Sequence, residues 1–207
     1  MIGIYNYTVI LTYTSLISAV TGILLAVNNH PFYAIICLLI SGLCDMFDGK
    51  VARTKKSDLR EKSFGIQIDS LCDVIAFGVL PTTIAIGLGL RDVKFLPIYV
   101  LFVLCAVIRL AYFNVLAEET KDKPKQKLKY YTGLPVTSDA LILPFIYIFK
   151  PYTSHFNTIY LSALVIISIL FVSKFKIKKP TTKLMIIFIL IGLIEATLII
   201  LGLLGVI

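Results

Sequence analysis

The sequence predicts an all-α fold: a polytopic transmembrane helical bundle of about seven spans (six to eight). Three observations carry that expectation. Of 207 residues, 58% are hydrophobic and only 15% charged, which is more apolar surface than a soluble domain of this length can hide. The apolar residues gather into stretches broken by short polar connectors. The basic residues alternate from connector to connector instead of forming one patch. A single membrane-embedded domain, 1–207, accounts for the length.

The segments run near 7–27, 31–49, 65–89, 95–117, 133–149, 156–174 and 183–206. The first is too long for a signal peptide and lacks a basic leader, so it reads as a span. Asn28-Asn29-His30-Pro31 separates it from the second, and the stretch from Lys50 to Lys62 separates the second from the third. Leu90 to Lys94, Glu118 to Lys129, Lys150 to His155 and Lys174 to Lys183 divide the remainder. Lys50, Arg53, Lys55, Lys56, Arg60 and Lys62 share one connector, and the fourth and sixth connectors are also lysine-rich. The opposite set offers only Arg91, Lys94 and Lys150. The positive-inside bias therefore puts the N-terminus and the basic loops on the cytoplasmic side of the cell membrane. The net charge of +8 follows from topology and suits anionic headgroups. It lacks the aromatic interleaving of a nucleic-acid surface, so no nucleic-acid partner is expected.

Cys37, Cys44, Cys72 and Cys105 lie in or beside apolar segments without a CxxC or Cys/His spacing, and read as small buried hydrophobes.

The costly feature is acidic. Asp45 and Asp48 lie three residues apart, and Gly65, Asp69 and Asp73 follow at intervals of four. Each set shares one helix face. An ionised Asp at a bilayer centre costs on the order of 3 kcal/mol, so four demand a partner. Too few cations are available within the spans to neutralise them: Arg53 is at the window's edge and Arg109 is the only other candidate. Oxygen-rich clusters suit Mg²⁺ or Mn²⁺, here as a site of one or two ions. Gly49, Ala52 and Gly65 would let a bulky ligand approach the backbone. Arg53 would cap a phosphate. A metal, a basic residue and a cytoplasm-facing membrane site suggest a phosphorylated lipid substrate, with one free carboxylate acting as base. The rival reading, a cation transporter, would spread its acids along several helices at mid-membrane.

The string Asp45-x2-Asp48-Gly49-x2-Ala52-Arg53, a spacer, then Gly65-x3-Asp69-x3-Asp73 resembles the signature of the CDP-alcohol phosphatidyltransferase family. The resemblance covers residues 45–73 and implies a helical membrane enzyme, usually a homodimer, that displaces CMP from a CDP-linked lipid. It implies that Asp45, Asp48, Asp69 and Asp73 hold the divalent metals, two ions, and that Asp73 is also the base for the acceptor hydroxyl. Gly49, Ala52, Arg53 and Gly65 would line the CDP site. The spacer of eleven residues between Arg53 and Gly65 is longer than the family's usual one, and Ser63 is the candidate for its phosphate-contacting hydroxyl.

Three further strings are similar to the phosphatidylserine synthase branch: Gly65 to Pro81, Arg109-Leu110-Ala111-Tyr112-Phe113-Asn114-Val115, and Thr132-Gly133-Leu134-Pro135. Tyr112 stands where that branch usually has a second arginine. The branch implies CDP-diacylglycerol and L-serine as substrates, with Arg109 pairing the serine carboxylate and Asn114 orienting it. Glycerol 3-phosphate or inositol phosphate would bring a dianion and need more basic residues; an archaeal ether-lipid donor is the other alternative. Asp139 reads either as an ammonium contact or as a residue at the fifth segment's entrance. Glu195 reads as a packing or dimer-interface acid.

Overall fold

The short connectors carry their own stop and start signals. The computed structural model describes residues 7–52, 54–55, 58–121, 130–178 and 182–203. The first helix, α1 (Ile10–Val27), ends where Asn29 takes a left-handed φ of 64°. The His30 N–H returns to the Leu25 carbonyl at 2.8 Å, closing the helix end. Pro31 then opens α2 (Pro31–Ala52), where its missing N–H costs nothing. Asp58 caps α3 (Leu59–Asp73) by accepting from the Glu61 N–H at 2.6 Å. This Asp-x-x-Glu start brings the helix in earlier than residue 65. Part of the polar spacer, Ser63 included, is therefore helix rather than loop.

The same helical axis continues through a wide π-helical stretch (Val74–Val79) into α4 (Leu80–Gly87). Helix α5 (Leu96–Lys121) is followed by strand β1 (Tyr130–Thr132), α6 (Asp139–Ile148), α7 (Phe156–Val172), strand β2 (Lys176–Lys178) and α8 (Thr182–Leu203). Among the described residues, five helical stretches have the length and apolarity to cross a membrane: Tyr7–Val27, Pro31–Ala52, Arg60–Gly87, Val93–Leu116 and Leu184–Gly202. Phe156–Val172 is a shorter apolar helix.

The expected segment at 133–149 differs from a plain span. Gly133 has φ +77°, and a Cβ there would lie 2.9 Å from the Ser173 carbonyl oxygen. Its N–H donates to the Phe175 carbonyl at 2.7 Å. Pro135 then blocks immediate helix formation, and a 3₁₀ turn (Val136–Ser138) precedes α6. The ribbon β1–β2, paired antiparallel from Tyr130↔Lys178 to Thr132↔Lys176, clamps this turn against the end of α7.

Helices α1 and α2 pack closely and exchange polar bonds. The Ser15 hydroxyl donates to the Ser41 carbonyl at 3.3 Å, the Ser41 hydroxyl to the Ser15 carbonyl at 3.0 Å, and the Ser18 hydroxyl to the Cys37 carbonyl at 2.9 Å. In a bilayer each such bond is worth on the order of 0.6 kcal/mol, so the three fix register more than they supply stability. The core behind them is built from Leu38, Phe77, Leu80, Phe102, Tyr160 and Phe171, all fully buried. Outward faces carry exposed Ile17, Leu24, Val100, Leu104, Ile187 and Leu190, as a lipid-facing surface requires.

Candidate active site

Two helices bring the acids together. Asp45 and Asp48 stand on the last turns of α2 and Asp69 and Asp73 on the last turns of α3, and both helices pack against α1. Carboxylate oxygens of Asp45, Asp48 and Asp69 lie within 4.8 Å of one another. Two unit charges at that separation repel by roughly 3 kcal/mol at an effective dielectric of 20. Three ionised groups therefore require a cation. Asp69 Oδ1 is buried with no hydrogen-bond partner among the described residues, an acceptor left open for one. Asp48 is anchored from the side, accepting from the Thr12 hydroxyl of α1 at 3.4 Å. An all-oxygen donor set of this kind fits a hard divalent cation.

Asp73 is buried, and the helix widens immediately after it. The Leu80 N–H reaches back to the Ile75 carbonyl, five residues earlier, the π-type bond that recurs at functional sites. Both Asp69 and Asp73 line a cavity of about 990 Å³. Asp45, Gly49, Ser70, Arg109 and Asn114 join them at its polar end. The rest of the wall is mainly apolar, built by α2, α6 and α8 through residues such as Leu39, Leu141, Phe145, Phe188 and Ile189, with Thr137, Ser138 and Glu195 as polar exceptions. One end is thus carboxylate-rich and the other suited to hydrocarbon.

The remaining sequence candidates divide. Arg109 is buried, its Nε donating to the Leu134 carbonyl at 3.0 Å and its Nη2 to the Gly133 carbonyl at 3.5 Å. Its guanidinium also stands 5.8 Å from the Phe113 ring centroid. It therefore holds the Gly133 turn while facing the cavity. Asn114 is bonded to Ser70 across α5 and α3. Gly65 leaves open space where a Cβ would project. Ala52 and Ser63 are exposed and do not line the cavity. Arg53 lies outside the described residues.

Two contributors, Thr12 and Ser70, escape sequence reasoning, whereas Asp139 and Glu195 are legible there as acids inside apolar segments. Thr12 and Ser70 carry no pattern of their own; only the packing of α1 and α5 reveals them. Asp139 opens α6, fully buried, with neither carboxylate oxygen hydrogen-bonded among the described residues. Glu195 of α8 is buried and lines the cavity; its signal was an ionisable residue inside an apolar span.

Comparison with known proteins places the chain in a family. The family model described as CDP-alcohol phosphatidyltransferase matches residues 5–207. The chain is 41% identical over 112 residues to a CDP-diacylglycerol–serine O-phosphatidyltransferase of Saccharomyces cerevisiae, covering 53% of this chain and 40% of that protein. It is 35% identical over 164 residues to an archaetidylserine synthase of Methanothermobacter thermautotrophicus, covering 75% and 66%. It is 31% identical over 182 residues to a CDP-diacylglycerol–serine O-phosphatidyltransferase of Helicobacter pylori, covering 84% and 72%. The matched region thus spans less than two thirds of the first two relatives.

Proposed function

Because the chain belongs to the CDP-alcohol phosphatidyltransferase family, we propose that it transfers the phosphatidyl group of CDP-diacylglycerol to L-serine, releasing CMP. The observation that carries this reading is the carboxylate cluster at the polar end of a cavity otherwise walled by apolar helices. The names of the yeast and Helicobacter pylori relatives support serine as the acceptor.

Asp45, Asp48, Asp69 and Asp73 would hold Mg²⁺ or Mn²⁺, two ions in all. When bound, the metal would neutralise diphosphate charge and polarise the phosphorus that is attacked. The chain's own residues do the rest. Asp73, at the cavity wall, accepts the proton of the serine hydroxyl. The serine oxygen forms its bond to the lipid-bearing phosphorus, and the bond from that phosphorus to the oxygen of CMP breaks, its electron pair leaving with CMP. Gly49, on the cavity wall, would border the path of the CDP group, with Ala52, Arg53, Gly65 and Ser63 as the sequence candidates for its outer part. Arg109, on the cavity wall, would pair the serine carboxylate. Among the described residues Arg109 is the one arginine on the cavity wall, which suits a zwitterionic amino acid better than a dianionic sugar or glycerol phosphate.

The enzyme works as a homodimer in the cell membrane, with its N-terminus and site toward the cytoplasm. The basic residues of 50–62, spread from the end of α2 to the start of α3, support that orientation. A second reading keeps the acceptor and changes the donor to an ether lipid, favoured by the likeness to the archaetidylserine synthase.

The test is CMP release by purified protein from CDP-diacylglycerol with L-serine, glycerol 3-phosphate or inositol phosphate, with and without Mn²⁺. Metal-dependent release with serine alone is expected. Release with glycerol 3-phosphate but not serine would overturn the acceptor assignment.

A further inference from the structure

Glu195 is the one acid on the hydrocarbon side of the cavity among its lining residues. It is 3% exposed, and its Oε2 is buried with no hydrogen-bond partner among the described residues. The ion pairs among the described residues are Lys55 with Glu61 and Lys94 with Asp92, so none serves Glu195. Around it on α8 stand Ile191, Gly192, Leu193 and Ala196, which also face the cavity. A polar group left unpaired in such surroundings is destabilising. A ligand that supplies the missing partner recovers that cost.

The depth of Glu195 limits what this partner can be. A Cβ on Gly192, one turn earlier, would meet Leu39 of α2 at 3.9 Å and Leu141 of α6 at 3.5 Å. Leu39 lies six residues before Asp45, roughly 9 Å of helix rise. Side chains on a helix lean toward its N-terminus, so the Glu195 carboxyl is drawn back toward the level of Gly192. It thus lies beyond the reach of a small amino acid seated at the aspartates. In a two-chain lipid whose phosphate sits at those aspartates, the atoms at this depth are the linkages between glycerol and the chains. An ester linkage offers a carbonyl acceptor; an ether linkage offers a much poorer one. A neutral carboxyl carries one O–H donor and matches the ester, and neutrality is the inexpensive state for a lone acid in hydrocarbon.

Resting on the CDP-lipid reading above, we propose that Glu195 is a donor-selecting residue that hydrogen-bonds an ester carbonyl of the lipid and favours diacyl over dialkyl CDP-lipids. Calorimetric titration of the purified full chain with CDP-diacylglycerol and with its diether analogue tests this without requiring turnover. The wild type should bind the ester form about tenfold more tightly. Glu195→Gln, which keeps a neutral donor, should retain the preference. Glu195→Met should bind both forms with the affinity the wild type shows for the ether. Equal wild-type affinities overturn the proposal whether or not the Met variant folds. A Met variant that retains the preference, or weakens both forms equally, overturns it too. A raised serine KM with unchanged donor binding would instead move Glu195 to the acceptor side, and also sinks the idea. Absence of CMP release with serine, alongside an intact ester preference, would defeat the serine reading and leave the role of Glu195 standing.

Discussion

Asn114 of α5 and Ser70 of α3 satisfy each other: the amide Nδ2 donates to the Ser70 hydroxyl at 2.9 Å, and that hydroxyl lies 3.1 Å from Asn114 Oδ1 as its donor. Ser70 adjoins Asp69, so the pair ties α5 to the helix that carries half of the acid cluster. Asn114 accordingly positions α3. Asn114→Ala and Ser70→Ala should each lower kcat by about tenfold, the cost of a part-buried bond. The double variant should lose little more than either single one, because the two act as a unit. Full additivity in CMP-release kinetics would show that Asn114 works independently of Ser70.

Asp73→Asn keeps size and polarity but removes the proton acceptor. Turnover should fall by about 10²–10⁴-fold, while CDP-diacylglycerol affinity stays within about threefold. Single-turnover CMP release beside equilibrium binding separates the two effects. If donor binding collapses along with rate, Asp73 serves chiefly as a ligand.

Arg109→Lys preserves charge but loses the fork that reaches the Leu134 and Gly133 carbonyls. The turn should loosen, at a cost of about 2 kcal/mol, seen as a lower Tm in detergent. The serine KM should rise at the same time. An unchanged Tm would mean that the carbonyl contacts are incidental.

Gly42 marks a close approach of α2 to α6, where a Cβ would lie 2.5 Å from the Ala140 Cβ. Gly42→Ala should destabilise by about 1–3 kcal/mol and weaken Mn²⁺ binding, because Asp45 lies one turn further along α2. Adding Ala140→Gly should restore both. Loss of Mn²⁺ affinity that the second change fails to rescue would separate helix spacing from the cluster.

The parts of the site legible in the sequence are those written in local periodicity. Asp45 with Asp48, and Asp69 with Asp73, share helix faces by spacing alone, and the basic connectors mark the segment boundaries. The hidden parts depend on neighbours distant in the chain. No local pattern couples Ser70 to Asn114 or Thr12 to Asp48, and none turns Glu195 toward a cavity that α2 and α6 complete. The late start of α6 was partly written in Gly133 and Pro135, but the carbonyls crowding Gly133 come from α7 and the residues just beyond it.

The wide turn at Val74–Val79 has a consequence for how this helix bears two duties. One residue of an α-helix corresponds to about 100° of rotation, so the π-type turn lets α4 take an azimuth independent of that of α3. In α3, orientation is dictated by Asp69 and Asp73 facing the acid cluster; in α4, by Ile84 and Ala85 seated in the core. The stretch works as a phase adjuster between a chemical half and a structural half. Each half can accept substitutions suited to its own surroundings without turning the other out of alignment.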